Sequence, residues 1–274
     1  MNIDEKYNLL QDNLRDMGEV LIAYSGGVDS TFLLKAAVDQ LEDKATAVIA
    51  RSATYPEREL NKALEIAEQM NANVRVIQTE EDSNPDYVSN PVDRCFHCKH
   101  ELFSKIISLA EEEGIKFVAE GTNVDDLGDF RPGLKALKDL SVRSPLKEAG
   151  FTKNEIREMS KRLGLPTHDK QSYACLASRI PYGSSITPEK LTMVEKAENF
   201  LYDLGYKTVR VRHYEDTVRL EFDKDDFSTI IENDNRELIV GNLKEIGYTY
   251  ITLDLEGFRS GSMNEVFKKK DTTK

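Results

Sequence analysis

The first half of the chain alternates short apolar runs with longer stretches in which apolar residues recur every three or four positions. The apolar runs predict buried strands, and the three-to-four spacing predicts amphipathic helices. The predicted strands are 20–22, 44–50, 74–77 and 116–119, and the predicted helices are 3–17, 31–38, 56–70, 98–113 and 152–163. Strands that alternate with helices are typical of a parallel sheet covered on both faces, with ligands bound beyond the carboxyl ends of the strands.

The pattern changes after residue 170. The segment 171–187 contains Cys175 and is long for a connector, so we place the boundary between two domains there. Beyond it, the sequence predicts a helix over 188–204, strands over 208–212 and 218–222, one broken or two short helices over 225–245, and a strand over 248–255. The chain is therefore predicted to form an α/β domain over 1–170 and a smaller α+β domain, with a mostly antiparallel sheet, over 188–274.

A glycine pair flanked by hydroxyl side chains lies where the first predicted strand turns into a helix. The string is Ser25-Gly26-Gly27-Val28-Asp29-Ser30. Glycines let the backbone approach a ligand closely, and the unpaired N–H groups of a helix start favour an anion. Asp29 would repel a bare phosphate, but it suits a Mg²⁺ ion that bridges phosphates. A lone glycine pair would be explained by an ordinary turn capped by Ser25 or Asp29, whereas the whole string is more specific.

No Gly-Lys-Ser or Gly-Lys-Thr follows this string, so it is not a Walker loop. It resembles the PP-loop of the ATP pyrophosphatases, which split ATP between the α and β phosphates and adenylate a substrate. The resemblance implies an adenine nucleotide α-hydrolase-like fold that binds ATP and Mg²⁺. Ser52 and Gly121 follow the second and fourth predicted strands, so we expect them to converge on the same nucleotide.

Length and composition restrict the class of protein further. The chain has 274 residues, of which 39% are hydrophobic and 31% are charged, as in globular proteins. No apolar run approaches the roughly 20 residues that span a bilayer. Residues 1–6 lack an apolar signal core, so we expect a cytoplasmic protein without membrane contact. The net charge of −12 argues against broad nucleic-acid binding.

Three cysteines, an odd number, point to metal binding or catalysis rather than to a disulfide framework. Cys95 and Cys98 form a C-x-x-C pair beside a predicted helix start, and Cys175 lies in the boundary segment. The residues alone leave four interpretations open. These are a redox pair, structural zinc with His100 or Cys175 as a further ligand, an iron–sulfur cluster on three thiolates, and buried inert cysteines.

Two further segments of the sequence help to choose among these four interpretations of the cysteines. Residues 171–183 (Gln-Ser-Tyr-Ala-Cys-Leu-Ala-Ser-Arg-Ile-Pro-Tyr-Gly) and 257–265 closely resemble the LarE family. That family comprises ATP-dependent sulfur transferases that build the nickel-pincer nucleotide cofactor of lactate racemase. The resemblance covers essentially the whole chain, including 120–126 and 129–133. It implies that a carboxylate of a pyridinium-dicarboxylate mononucleotide is adenylated, with release of pyrophosphate, and that sulfur then displaces AMP to give a thiocarboxylate.

The resemblance also bears on the cysteines. Some members sacrifice the sulfur of one cysteine at the position of Cys175, and those members lack the C-x-x-C pair. Because Cys95 and Cys98 are present, this chain resembles the branch in which all three cysteines hold a [4Fe–4S] cluster carrying a transferable sulfide. Sacrificial donation by Cys175, another PP-loop enzyme such as a tRNA thiolation enzyme, and a non-catalytic nucleotide-binding assembly protein are the alternatives. The family resemblance further implies a homo-oligomer.

Arginines of the second domain are candidate contacts for the substrate. Arg210 and Arg212 share one face of a predicted strand, where alternation alone is typical of a solvated surface. The resemblance places the phosphate of the mononucleotide in this region, and arginine forks suit phosphates. Arg259, with hydroxyl side chains close by in sequence, is a second candidate anion site.

Three acidic residues lie near these arginines in the sequence. Glu198, Glu221 and Asp223 could hold a divalent metal, but charged residues are mostly exposed. We therefore interpret the three as surface charges.

Overall fold

The computed structural model describes residues 1–128, 133–171 and 173–265. Residues 129–132 and Ser172, which belong to the segments that resemble the LarE family, lie outside the described residues. The chain forms two compact units. The first comprises the described residues of Met1–Tyr87 and Val92–Tyr173, and the second comprises Val88–Pro91 and the described residues from Ala174 onward.

The first unit contains a four-stranded sheet in which every pairing is parallel, as predicted. Its strands are β1 (Val20–Ala23), β2 (Ala45–Arg51), β3 (Asn73–Gln78) and β4 (Phe117–Ala119), in the order β3-β2-β1-β4. The helices up to residue 173 are α1 (Ile3–Met17), α2 (Val28–Leu41), α3 (Glu57–Gln69), α4 (Pro85–Val88), α5 (Arg94–Glu113), α6 (Gly133–Asp139), α7 (Pro145–Glu148) and α8 (Lys153–Arg162).

Both faces of this sheet are buried, which is why its central strands are continuous apolar runs. Val20 and Ile22 of β1 belong to a core shared with α1, α2, α3 and α8. Leu21, between them, points to the other face and packs in a core with residues of α5 and α6. The sheet therefore separates two helical layers, and the loops at the carboxyl ends of its strands lie at one edge.

The starts of helices α8 and α5 can be compared with those predicted from the sequence. Thr152 caps α8 by accepting the N–H of Glu155, whose side chain accepts the N–H of Thr152 in return, and this capping box starts the helix that the sequence predicted over 152–163. Helix α5 starts earlier than predicted, at Arg94 instead of Cys98. The prediction was wrong there because apolar periodicity begins only at Leu102, after two largely polar turns. Cys95 and Cys98 therefore lie inside the first two turns of α5.

Helices α4, α6 and α7 were not predicted, because segments of four to seven residues are too short to show a helical period. In the part of the chain that the structure describes, no helix is both long and apolar enough to cross a bilayer.

The second unit contains a three-stranded sheet and three helices. The strands are β5 (Val209–Tyr214), β6 (Thr217–Phe222) and β7 (Tyr250–Leu253), and the helices are α9 (Pro188–Asp203), α10 (Phe227–Ile231) and α11 (Asn233–Ile246). Strands β5 and β6 form an antiparallel hairpin, but β7 pairs with β6 in parallel. The sheet is thus mixed rather than mostly antiparallel. Alternation reveals a strand but not its direction, and here α10 and α11 carry the chain back to the start of β6.

Candidate nucleotide-binding site and the Cys175 segment

The turn between β1 and α2 requires glycine at Gly26. Its φ is +60°, and a Cβ atom added there would lie 2.7 Å from the Cβ of Ala63 on α3. Gly27 is the N-cap of α2, and no side chain among the described residues caps that helix. The first intrahelical bond runs from the Thr31 N–H to the Gly27 carbonyl, at 3.0 Å. The N–H groups before Thr31 are therefore available to an anion.

Hydroxyl groups hold the turn in shape. The Ser30 Oγ accepts the Ser25 N–H at 3.3 Å, lies 3.2 Å from the Ser25 Oγ and donates to the Gly27 carbonyl at 3.3 Å. The Tyr55 hydroxyl donates to the Ser25 carbonyl at 2.8 Å. The predicted residues of the string thus form one cradle at the start of α2, with Tyr55 as a support that the sequence did not reveal.

The loop after β4 packs directly on this cradle. A Cβ atom on Gly121 would lie 3.0 Å from the Ser30 nitrogen and 3.2 Å from the Asp29 Cβ, so only glycine permits this approach. The preceding Glu120 is buried and accepts the Ser144 hydroxyl at 2.7 Å, which anchors the loop. The structure therefore brings Gly121 beside Asp29 and Ser30.

The loop after β2 carries Ser52. Its hydroxyl lies 2.9 Å from the Thr54 Oγ1, and Thr54 donates to the buried carboxylate of Glu81 at 2.8 Å. Tyr55, in the same loop, reaches the glycine turn through the bond to Ser25. The loops that follow β2 and β4 thus flank the turn after β1, as the parallel sheet predicts.

Lysine side chains also lie at the cradle, and no pattern in the sequence indicated them. The Lys153 Nζ lies 2.5 Å from the Asp29 Oδ2, and the Asn123 Nδ2 lies 3.4 Å from the Asp29 Oδ1. Lys153 is the first residue of α8, more than a hundred residues after Asp29, so no local spacing connects them. Only the meeting of two helix starts in the fold reveals this pair.

A second lysine approaches the turn from the end of the first unit. The Lys170 Nζ donates to the Gly26 carbonyl at 3.0 Å and lies 2.8 Å from the Glu59 Oε2. Burial opposes ionisation of Glu59, but its hydrogen bond and ion pair with Lys170 leave the pKa of Glu59 below its ordinary value. Lys153 and Lys170 thus bring two ammonium groups to the turn, where each also pairs with a carboxylate.

In the second unit, Cys175 is the N-cap of a short 3₁₀ turn, Leu176–Arg179. Arg179 is fully buried and pairs with Glu198 through two bonds, Nε to Oε1 at 2.8 Å and Nη2 to Oε2 at 3.0 Å. Its Nη1 donates to the carbonyl oxygens of Ala174, at 2.6 Å, and of Cys175, at 3.1 Å. The guanidinium therefore holds the main chain on both sides of the Cys175 α-carbon.

The prediction that Glu198 and Glu221 are surface charges is wrong. Glu198 is 1% exposed and Glu221 is 0% exposed, because each is paired with an arginine inside the unit. Burial opposes ionisation of Glu198, but the charge of Arg179 leaves the pKa of Glu198 below its ordinary value. Asp223 is exposed, as predicted.

Arg210 and Arg212 are buried as well, so they do not form a solvated strand face. Arg212 donates to the Glu221 Oε2 at 2.7 Å and to the Ser262 Oγ at 2.9 Å. The guanidinium of Arg210 lies 5.0 Å from the centre of the Phe258 ring. Alternation alone could not reveal this burial, because it does not show that Glu221, on the neighbouring strand β6, pairs with Arg212 inside the unit.

Arg259 is surrounded by carboxylates. Its guanidinium lies 3.1 Å from Glu265, 3.1 Å from Glu256 and 3.5 Å from Asp254. The hydrogen bond with Glu265 and the charge of Asp254 raise the pKa of Arg259 above its ordinary value. The hydroxyl of Ser262, one of those close to Arg259 in the sequence, donates to Glu221. An anion at Arg259 would therefore compete with three acidic side chains.

Cys95 is exposed, and Cys98 and Cys175 are partly exposed. Cys95 and Cys98 are three residues apart in α5, so they lie on one face of the helix. Within residues 1–128, 133–171 and 173–265, no three Cys, His, Asp or Glu side chains are grouped so as to hold a metal ion. The shared ligation by three thiolates stays a prediction.

The strand, the uncapped glycine turn and the flanking loops define a nucleotide-binding protein of the PP-loop class. The family model described as NAD synthase matches residues 3–87, which include the turn. The chain is 37% identical, over 93% of its length and 92% of the relative's, to the pyridinium-3,5-bisthiocarboxylic acid mononucleotide synthase of Lactiplantibacillus plantarum. It therefore belongs to the LarE family, as its motifs predicted.

Two other relatives are similar to nearly the whole chain. An uncharacterised protein of Synechocystis is 40% identical over 97% of this chain and 100% of its own length. An uncharacterised protein of Methanocaldococcus jannaschii is 30% identical over 92% of this chain and 96% of its own. The similarity therefore extends beyond the nucleotide-binding turn and includes residues of both units.

Proposed function

We propose that this protein is an ATP-dependent sulfur transferase that converts a carboxylate of a pyridinium-dicarboxylate mononucleotide into a thiocarboxylate, with AMP and pyrophosphate as products. The observation that carries the proposal is the anion cradle at the start of α2, with its uncapped N–H groups and the lysines Lys153 and Lys170. The similarity to a synthase of a bisthiocarboxylic acid mononucleotide supports the choice of substrate.

In the first step, a carboxylate oxygen of the mononucleotide attacks the α-phosphorus of ATP. The bond from that phosphorus to the bridging oxygen breaks, and pyrophosphate leaves with the electron pair. The N–H groups of α2 and the ammonium of Lys170 bind and orient the phosphates. Asp29 is partly exposed at the cradle and offers a carboxylate to Mg²⁺, which neutralises phosphate charge when it is bound.

In the second step, a sulfur nucleophile attacks the activated carbonyl carbon, and AMP leaves. We propose Cys95, Cys98 and Cys175 as the ligands of a [4Fe–4S] cluster, which would supply a transferable sulfide. Thiolates are the usual ligands of such clusters, and two of the three share one face of α5. Direct donation of the Cys175 sulfur is the competing source.

Arg210 is our proposed contact for the phosphate of the mononucleotide, since its guanidinium lies over the ring of Phe258 and the guanidinium fork suits a phosphate. Arg212 already engages Glu221 and Ser262, so its proposed part is to hold that region in place.

Replacing each cysteine in turn with serine tests the sulfur source. With cluster ligation, C95S, C98S and C175S each lose bound iron and thiocarboxylate product, and each keeps pyrophosphate release with ATP and the mononucleotide. Iron content, product mass and pyrophosphate are measured on protein handled without oxygen. If only Cys175 is essential and its peptide loses the mass of H₂S after one turnover, Cys175 is the donor. Full activity with zinc in place of iron contradicts both sources.

A further inference from the structure

The ion pair between Arg179 and Glu198 is the most deeply buried pair of charges described in the second unit. The two side chains are 0% and 2% exposed, and they meet through two parallel N–H to oxygen bonds. The pair of Lys190 with Glu215 in the same unit has, by contrast, a partner in solvent. The pair therefore bears a desolvation penalty that a surface pair does not.

Stability alone does not account for such a pair. The attraction between two buried charges roughly offsets the cost of removing them from water, and apolar residues of similar volume often serve a fold as well. What apolar residues cannot supply is a set of directed donors. Arg179 uses its remaining nitrogen to hold the carbonyl oxygens of Ala174 and Cys175.

The pair is itself fixed to the sheet. The Glu198 Oε1 accepts the N–H of Val211, a central residue of β5, at 3.1 Å. Arg212, on the same strand, donates to the carbonyl of Ser178 at 3.0 Å, which holds the other end of the 3₁₀ turn. The main chain around Cys175 is thus connected to β5 at two points, each through a buried arginine.

We propose that Arg179 and Glu198 are positioning residues for Cys175: they fix the main chain at Cys175 and so restrict the thiol to one region of space. A sulfur atom that must meet an activated carbonyl benefits from such restriction, because small displacements of reacting groups reduce rates steeply. The catalytic consequence rests on the proposed function, whereas the restriction of the thiol does not.

The first test measures the thiol directly, on the full chain freed of metal by a chelator. The double variant R179M/E198L removes both charges of the pair together, so neither of the two is left buried without the other. Iodoacetamide should modify Cys175 about tenfold faster in this variant, because the segment opens locally. Cys95 and Cys98, in the first unit, serve as internal controls whose rates stay the same. K190M breaks the exposed pair with Glu215 in the same unit and should leave all three rates unchanged.

The second test separates the two steps of the reaction in R179K and in the double variant. Lysine keeps the charge but cannot bond the carboxylate of Glu198 and two carbonyls at once. We expect pyrophosphate release at the parent rate and thiocarboxylate formation reduced about tenfold to a hundredfold. Circular dichroism and urea unfolding confirm that each variant is folded.

The outcomes are distinguishable. Parent-like alkylation of Cys175 in the folded double variant, or parent-like thiocarboxylate formation in it, overturns the positioning role. Absence of pyrophosphate release in the parent protein overturns the proposed function instead, and the alkylation rates still decide whether Arg179 and Glu198 restrict the thiol.

Discussion

The glycine turn makes a quantitative prediction at Gly26. In G26A, the new methyl group would stand 2.7 Å from the Cβ of Ala63, more than 0.5 Å inside ordinary contact, at a φ of +60°. The left-handed conformation costs an alanine about 1–2 kcal/mol, and overpacking a tight contact costs about 1–3 kcal/mol more. We expect G26A to lower the free energy of unfolding by about 2–5 kcal/mol, which is the sum of these two costs.

A second variant separates the steric cost of the new methyl group from the cost of the backbone strain. A63G removes the atom that the new methyl group would strike, at a cost of about 1 kcal/mol for a glycine inside α3. In the double variant G26A/A63G the closest contact of the new methyl group lengthens from 2.7 Å to the 3.1 Å that separates it from the residue 63 Cα, while the backbone strain at Gly26 stays. The double variant should therefore be more stable than the sum of the single effects predicts, by about 1–3 kcal/mol.

Urea unfolding of the parent, the two single variants and the double variant gives this coupling energy. Calorimetric titration with an ATP analogue measures the affinity of the cradle for the nucleotide. ATP affinity should fall in G26A, because the turn must move away from α3, and should recover partly in the double variant. Strictly additive unfolding energies would refute the reasoning, since they would mean that Gly26 and Ala63 do not touch.

Two further predictions concern charges in separate units. K153M removes a cation from the cradle and should raise the ATP concentration at half-maximal pyrophosphate release about tenfold to a hundredfold. K35M, which breaks the exposed pair with Asp39 on α2, is the control and should leave that ATP concentration nearly unchanged. Burial lowers the pKa of His213 below 6.5, so the unfolded chain binds the proton more readily, and the free energy of unfolding should decrease as the pH falls below about 6.5. Urea unfolding at pH 5.5 and 7.5 should show a smaller decrease for H213Q than for the parent, and equal decreases would contradict this assignment.

Sequence patterns predicted what local physics determines. Strands that alternate with helices indicated a parallel sheet, three-to-four apolar spacing marked helices such as α8, and the glycine string marked the turn. Each of these signals lies within a few residues of the structure that it specifies. The family resemblance added the identity of the chain, which no periodicity could supply.

The patterns failed where distant residues meet. Lys153 reaches Asp29 from another helix start, and Glu198 is buried because Arg179 neutralises it. A charged residue in a sequence is expected at the surface, and only the fold can show the partner that makes burial tolerable. The direction of β7 could not be predicted for the same reason, since it depends on how α10 and α11 return the chain to the start of β6.

The parallel position of β7 has a consequence for how the second unit folds. The β5–β6 hairpin closes over two residues, and such hairpins form in about 1–10 μs. Pairing of β7 with β6 must close the whole segment 223–249, which costs more chain entropy before any contact is gained. The third strand is therefore expected to join last. Until it does, one edge of β6 is open, and a chain that ends before Tyr250 would leave that edge ready to pair with other chains.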